Sequence, residues 1–225
     1  MTREVMPLET ILLRLTSDNW LEAGTAINKL IPHGEAATVA LPLLFQLTVL
    51  DKPPVRSDSY RVIKGLGKHA VPFLLEQVIN KCPDLRAMAI CLLMETGFRE
   101  ATSTLVFEQV LRPRYSELPD WGVDPEELIQ HFRTALSDNA LEVRFWAASA
   151  LEEFGRHIPE TIPVFIEALK DGSIRQQHLA ALHLGRIGPA AAAAKLELEL
   201  AIDECESTAL AARNALERIN PVDAE

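Results

Sequence analysis

Along this chain apolar residues fall into blocks spaced three and four apart, the interval that gathers them on one face of an α-helix. In Ala180-Ala181-Leu182-His183-Leu184-Gly185-Arg186-Ile187-Gly188, Ala180, Leu184 and Ile187 share such a stripe. No segment alternates with period two between turn signals, so no β-sheet is expected. The pattern predicts about thirteen helices, over residues 7–16, 19–31, 36–50, 57–66, 70–81, 84–96, 99–111, 125–137, 140–154, 159–170, 174–187, 190–203 and 206–219.

The blocks repeat. Val55-Arg56, Leu85-Arg86 and Val143-Arg144 are each followed, eleven residues after the arginine, by a glycine: Gly67, Gly97 and Gly155. Two further copies, ending at Gly188 and Asn220, keep the apolar frame but carry Gln177 and Ala209 at the arginine position. An N-terminal copy over 23–31 has Trp20 there. A second helix follows the turn, with Ala40-Leu41-Pro42, Ala70-Val71-Pro72 or Thr161-Ile162-Pro163 at its start. Proline suits a helix's first turn, where its missing N–H is not needed, and the preceding glycine can take the left-handed conformation that ends the helix before it.

These residues resemble the HEAT-like repeats of the short bacterial kind seen in phycobilisome lyase-type proteins, whose units read Val-Arg, alanine-rich helix, Leu-Gly, Ile-Gly, then Val-Pro and a second helix. The likeness covers nearly the whole chain, is strongest from Val143 to Gly188 and is weak before Gly34. It implies an all-α fold, a right-handed α-solenoid of about six HEAT-like helix pairs with no β-sheet, running as a single array over residues 1–225. Second helices line the concave side of such a solenoid, so the resemblance implies that Gln46, Glu76, Glu108, Thr134 and Glu167 project into a groove. The competing reading of each is ordinary solvated helix surface. Arg56, Arg86 and Arg144, at the repeat's arginine position, are expected to make hydrogen bonds between repeats.

One step of the array is irregular. Between Arg86 and Arg144 the spacing is too long for one unit and short for two, and the first-type helix expected there is replaced by an irregular loop over 112–124. Its two prolines and a glycine prevent a long helix, yet Tyr115, Leu118 and Trp121 give it more apolar mass than a disordered linker carries. Arginine, tyrosine and tryptophan are enriched at binding hot spots, which makes Arg112, Arg114, Tyr115 and Trp121 candidates for partner contact. Alternatively, Tyr115 and Trp121 fill the hole left by the missing helix.

Charge changes the functional picture more than composition does. With 22 Lys and Arg against 32 Asp and Glu, the net charge of -10 disfavours phosphate backbones and anionic membranes as partners. The charge is uneven, net +4 over 52–86 and net -5 over 195–225. The longest uncharged stretch, Ala36 to Leu50, is 15 residues, too short to span a bilayer. The N-terminus lacks the basic region and apolar run of a secretory signal, and Cys82, Cys91 and Cys205 have no metal-ligand spacing. A cytoplasmic protein with reduced thiols is expected.

Candidate chemistry is sparse. The histidines are scattered with no His-Glu-x-x-His, and Gly65-Leu66-Gly67-Lys68 follows a helix instead of a strand and lacks the rest of a phosphate loop. The carboxylate pairs Glu95 and Glu100, and Glu152 and Glu153, read as solvated helix surface. No catalytic residue, metal or cofactor is assigned. The expectation is a non-catalytic protein-binding scaffold or regulator using the concave groove and the 112–124 loop. The resemblance supplies an alternative, a bilin lyase or chromophore-handling protein, and a third option, a HEAT-like DNA glycosylase, which the acidity disfavours.

Overall fold

The structure is a computed structural model that describes residues 6–17, 19–96, 121–204 and 206–220. All regular structure among the described residues is helical, as the apolar spacing predicts. The expected helix over 99–111 and most of the 112–124 loop, with Glu108, Arg112, Arg114 and Tyr115, lie outside the described residues. The chain divides into two compact units. No helix among the described residues is long and apolar enough to cross a membrane.

The first unit holds α1 (Leu8–Leu15), α2 (Trp20–Lys29), α3 (Leu41–Leu47), α4 (Pro53–Leu66), α5 (Val71–Gln77) and α6 (Pro83–Thr96). Helices α2, α4 and α6 pack in series, α3 lies against α4, and α5 lies against α6. Each joint is apolar: Ile27, Leu44, Phe45, Ile63, Leu74 and Ile90 are fully buried. The second unit holds α7 (Pro125–Ala135), α8 (Leu141–Glu153), α9 (Ile158–Asp171), α10 (Ile174–Ile187), α11 (Lys195–Glu204) and α12 (Glu206–Ile219). There α9 packs against α8 and α10, and α12 against α10 and α11. This is the HEAT-like pattern of helix pairs that bury their faces only against neighbours.

Helix boundaries follow the glycine and proline punctuation, with one systematic difference. The helices expected from 36, 70 and 190 become α-helical only at Leu41, Val71 and Lys195, for α3 and α11 some five residues late, because 3-10 segments (Ile31–Ala40, Gly67–Ala70 and Gly188–Ala194) lead into them. Gly67 (φ 55°, ψ -134°) and Gly188 (φ 73°, ψ -139°) sit in a backbone region that a side chain would forbid, so the turn requires glycine. Pro42 and Pro72 stand in the first turns of α3 and α5, as expected. Pro163 does not: α9 starts at Ile158, with Pro159 in its first turn, and Pro163 lies inside the helix. Likewise α4 starts at Pro53, not at 57, because Pro53 and Pro54 supply the pre-set φ of a helix start.

Polar groups bridge successive first helices. Asn28 on α2 donates to Asp58 on α4 at 3.0 Å, and Lys64 on α4 pairs with Glu95 on α6 at 2.6 Å. Nearby, burial pushes the Tyr60 hydroxyl well above its ordinary pKa, helped by Cys91 and Glu95. In the second unit the Glu152 carboxylate on α8 has no exposed surface. It receives His183 Nδ1 at 2.8 Å, Arg186 Nε at 3.0 Å and a further bond from Arg186 Nη2, while Arg186 also reaches Glu153 at 3.1 Å. Burial alone would raise the pKa of Glu152, but His183 and Arg186 outweigh it and hold the carboxyl at about 2. The expectation that Glu95, Glu152 and Glu153 are solvated is therefore corrected. A helix read by itself does not reveal the cation that the next unit brings to the same height.

The spacing of first helices varies within the second unit. Between α8 and α10 lie Phe145 and His183, and the His183 ring stacks on Phe165 of α9 at 4.7 Å and 5°. Between α10 and α12 the backbones nearly touch: a Cβ on Gly185 would stand 2.9 Å from the Ala215 Cα. Gly185→Ala should thus cost about 1–3 kcal/mol through overpacking, reversing the gain of up to about 1 kcal/mol that alanine brings to an open helix position. A lower urea midpoint than the wild type is the expected result.

Glu152 makes stability depend on acid. Its folded pKa lies below the ordinary 4.5, so its contribution is complete above that value and is lost as pH falls towards 2. The loss is about 3 kcal/mol. Urea unfolding at pH 7, 4 and 2.5 should show this decline, and Glu152→Gln should be less stable at pH 7 with a shallower dependence on acid.

Candidate functional site

Helices α7 and α9 each turn one regular face outward. On α7, Gln130, Arg133 and Thr134 lie at i, i+3 and i+4, and Ser137, two residues past the helix end, continues the stripe; on α9, Glu160, Pro163 and Glu167 lie at i, i+3 and i+7, with Val164 buried between them. The opposite stripes are core, with Leu128, Ile129 and Phe132 buried on α7 and Phe165, Ala168 and Leu169 on α9. Phe132 stacks on Phe154, 6.1 Å between centroids, and seats α7 against the end of α8. The two outward stripes enclose a groove of about 680 Å3, closed by Leu136 and Arg144.

Both arginines that line the groove have a carboxylate partner. Arg133 Nε donates to Glu160 Oε2 at 2.9 Å, and His157 Nδ1 lies 3.2 Å from Glu160 Oε1. The Arg133 bond holds the Glu160 carboxyl below its usual pKa and raises that of the guanidinium. His157 precedes α9 with φ 50°, an uncommon conformation for a residue other than glycine, and this places its ring over the first turn that carries Glu160. Arg144 donates to Glu167 Oε2 at 3.2 Å, makes a second bond to Oε1, and reaches the Asp138 carbonyl at 2.6 Å.

The reach of Arg144 recurs at Arg86, which donates to the Asn80 carbonyl at 2.8 Å and to that of Lys81 at 3.2 Å. In both cases the arginine closes the loop ahead of its own helix by bonding the carbonyl six residues back. The residue there is Asn or Asp, and its side-chain oxygen accepts the N–H two residues on, at 2.9 Å from Cys82 N and from Ala140 N. An Asx residue six places ahead of the arginine is thus part of the signature, a spacing not singled out in the sequence. Arg56, with Leu50 at that place, is exposed.

Of the groove positions expected from the sequence, Thr134 and Glu167 are brought together as facing walls, Thr134 exposed and Glu167 half-buried against Arg144. Gln46 and Glu76 are exposed on α3 and α5 of the first unit, four residues after Pro42 and Pro72. Trp121 is not presented to a partner: it is 1 % exposed, and its indole N–H donates to the Leu93 carbonyl at 2.8 Å. The Leu93 carbonyl on α6 also accepts from Thr96 Oγ1 at 3.2 Å, so the tryptophan adds a second donor to it. Arg133, Gln130 and Ser137 were missed, although their spacing from Thr134 identifies the same stripe.

Residues 143–171, which contain all of α9 and all but the first two residues of α8, match the family of the PBS lyase HEAT-like repeat. The chain carries a HEAT-like repeat of the PBS lyase kind. Arg144 is that repeat's arginine and α9 its second helix, so the groove is built from this HEAT-like unit and the helix before it. Several solved structures are similar over most of both chains. An engineered protein is 17 % identical, covering 96 % of this chain and 99 % of its own, with a TM-score of 0.49. A designed armadillo repeat protein is 16 % identical over 95 % and 100 %, TM-score 0.47. The complex of CpcE and CpcF of phycocyanin lyase from Nostoc sp. PCC7120 is 18 % identical over 98 % of each chain, TM-score 0.34. A search of curated proteins gives no match.

The contrast between Trp121 and Thr134 is directly measurable. Trp121→Ala should lower unfolding free energy by about 3–5 kcal/mol through loss of a buried ring. Thr134→Ala, on the exposed stripe, should change it by less than about 0.5 kcal/mol. Urea unfolding followed by circular dichroism reads both.

Proposed function

We propose that this protein is a non-catalytic scaffold that holds a segment of another protein against the outward face of its second helices, with the α7 and α9 groove as a principal seat. The observation that supports this reading is the groove itself: a polar stripe on α7 facing Glu160, Pro163 and Glu167 of α9, about 680 Å3 of open space, and walls whose arginines are already paired. Because Arg133 bonds Glu160 through Nε, and Arg144 is fixed at both Asp138 and Glu167, the walls are ordered before any ligand arrives. Ordering in advance lowers the entropic cost of binding. The Gln130 amide and Ser137 hydroxyl add donors and acceptors suited to a peptide backbone. On sequence grounds alone the same reading assigns Arg112, Arg114 and Tyr115 to the partner surface, with Gln46 and Glu76 on the first unit.

A photo-crosslinking amino acid placed at Thr134 should join the protein to a discrete partner in native cells. The same group at Glu217, exposed on α12, should not. Equal labelling from both positions, or none from Thr134, would count against the groove. A spectral change on mixing with a linear tetrapyrrole would instead favour the chromophore-handling alternative.

A further inference from the structure

The outward stripe of α11 differs in chemistry from those of α7 and α9. Leu196 stands eight residues after Gly188, as Pro163 stands eight after Gly155, and Leu200 occupies the place of Glu167, twelve after the same glycines. Leu196 is 61 % exposed and Leu200 51 %. Between and beyond them on the same i, i+3, i+4, i+7 stripe lie Glu199 and Asp203, both exposed. The inward side of α11 is satisfied by Leu198 and Ala201, which are buried, and α11 is tied to α9 by Lys170 and Glu197 at 2.7 Å. The leucines are therefore surplus to the packing of the unit. Two leucines one turn apart, with a carboxylate beside each, make an anchor for apolar side chains ringed by negative charge.

We infer that the outward face of α11 docks an amphipathic, basic helix of a partner protein, its apolar residues seated on Leu196 and Leu200 and its Lys or Arg side chains facing Glu199 and Asp203. This rests on the scaffold reading above and names the chemistry of the partner. Charge selects the occupant. In a symmetric contact with a second copy of this chain, Glu199 and Asp203 would meet their own counterparts, and the net charge of -5 over 195–225 would repel itself. An anionic membrane is disfavoured by the same carboxylates. A basic amphipathic helix meets both the apolar and the acidic half of the stripe.

The test uses two labelled helical peptides of about eighteen residues, one with leucines at i, i+3, i+4 and i+7 and lysines elsewhere, the other with glutamates in place of the lysines. Fluorescence anisotropy with the full-length protein at about 0.15 M salt should show binding of the Leu/Lys peptide only. Leu196→Ser with Leu200→Ser should weaken it at least tenfold, and Glu199→Lys with Asp203→Lys should abolish it. All four positions are exposed, so circular dichroism should report an unchanged fold.

No binding of the Leu/Lys peptide, equal binding of both peptides, or indifference to the α11 variants would overturn the inference. So would concentration-dependent dimerisation that Leu196→Ser with Leu200→Ser removes, which would give the face to a second copy. Binding lost on Thr134→Arg but kept in the α11 variants would overturn it too, while leaving the scaffold reading intact. Binding through α11 without any crosslink at Thr134 would support it and remove the α7 and α9 groove as a principal seat.

Discussion

A helix pair of this kind has no core of its own, and its apolar faces are covered only by the pairs before and after it. Everything that faces a neighbour must therefore find its complement there. For Ile27, Ile63 or Phe165 any apolar surface of fitting shape serves, but for a charged group only a particular side chain does. Glu152 is the sharpest case, a carboxylate without exposed surface whose side-chain partners, His183 and Arg186, both come from α10. Sliding α10 by one turn would strand that charge at a cost of about 3–5 kcal/mol. The cluster thus fixes which turn of α10 meets which turn of α8, and Lys64 with Glu95 sets α4 against α6 in the same way.

Much of this architecture was legible because its punctuation is local. The glycines at 67 and 188 end helices, the prolines at 42 and 72 begin them, and both act within a few residues of themselves. What was not legible depends on partners elsewhere. Glu152 and Glu153 look like solvated carboxylates until Arg186, more than thirty residues on, arrives beside them. Trp121 has the residue type of a binding hot spot, and its bond to the Leu93 carbonyl, 28 residues earlier, shows it turned inward. The 3-10 lead-ins and the interior position of Pro163 escaped for a smaller reason, that apolar spacing marks which face is buried more sharply than it marks where the α-helical hydrogen bonds begin.

Among the second helices, the repeat separates what is constant from what varies. In α3, α9 and α11, register from the turn glycine places Pro42 and Gln46, Pro163 and Glu167, and Leu196 and Leu200 at equivalent outward positions, while the inward positions, Thr161 apart, are Ala, Leu, Val, Ile or Phe. The inward residues answer to packing and tolerate little. The outward ones answer to solvent or a partner, so polar, charged and apolar surfaces can follow one another on the same frame. The α7 and α9 groove and the α11 stripe are two such surfaces within one unit.

The side-chain bonds that join neighbouring pairs also share a sequence separation: 30 residues for Asn28 with Asp58, 31 for Lys64 with Glu95, and 34 for Glu152 with Arg186. Closing a loop of that size carries only a modest entropic cost, and no distant segment has to be recruited first. Contact order stays low, the regime in which chains fold fast. Assembly can therefore begin at any pair with a good joint and spread in both directions, each new pair docking on a template already formed.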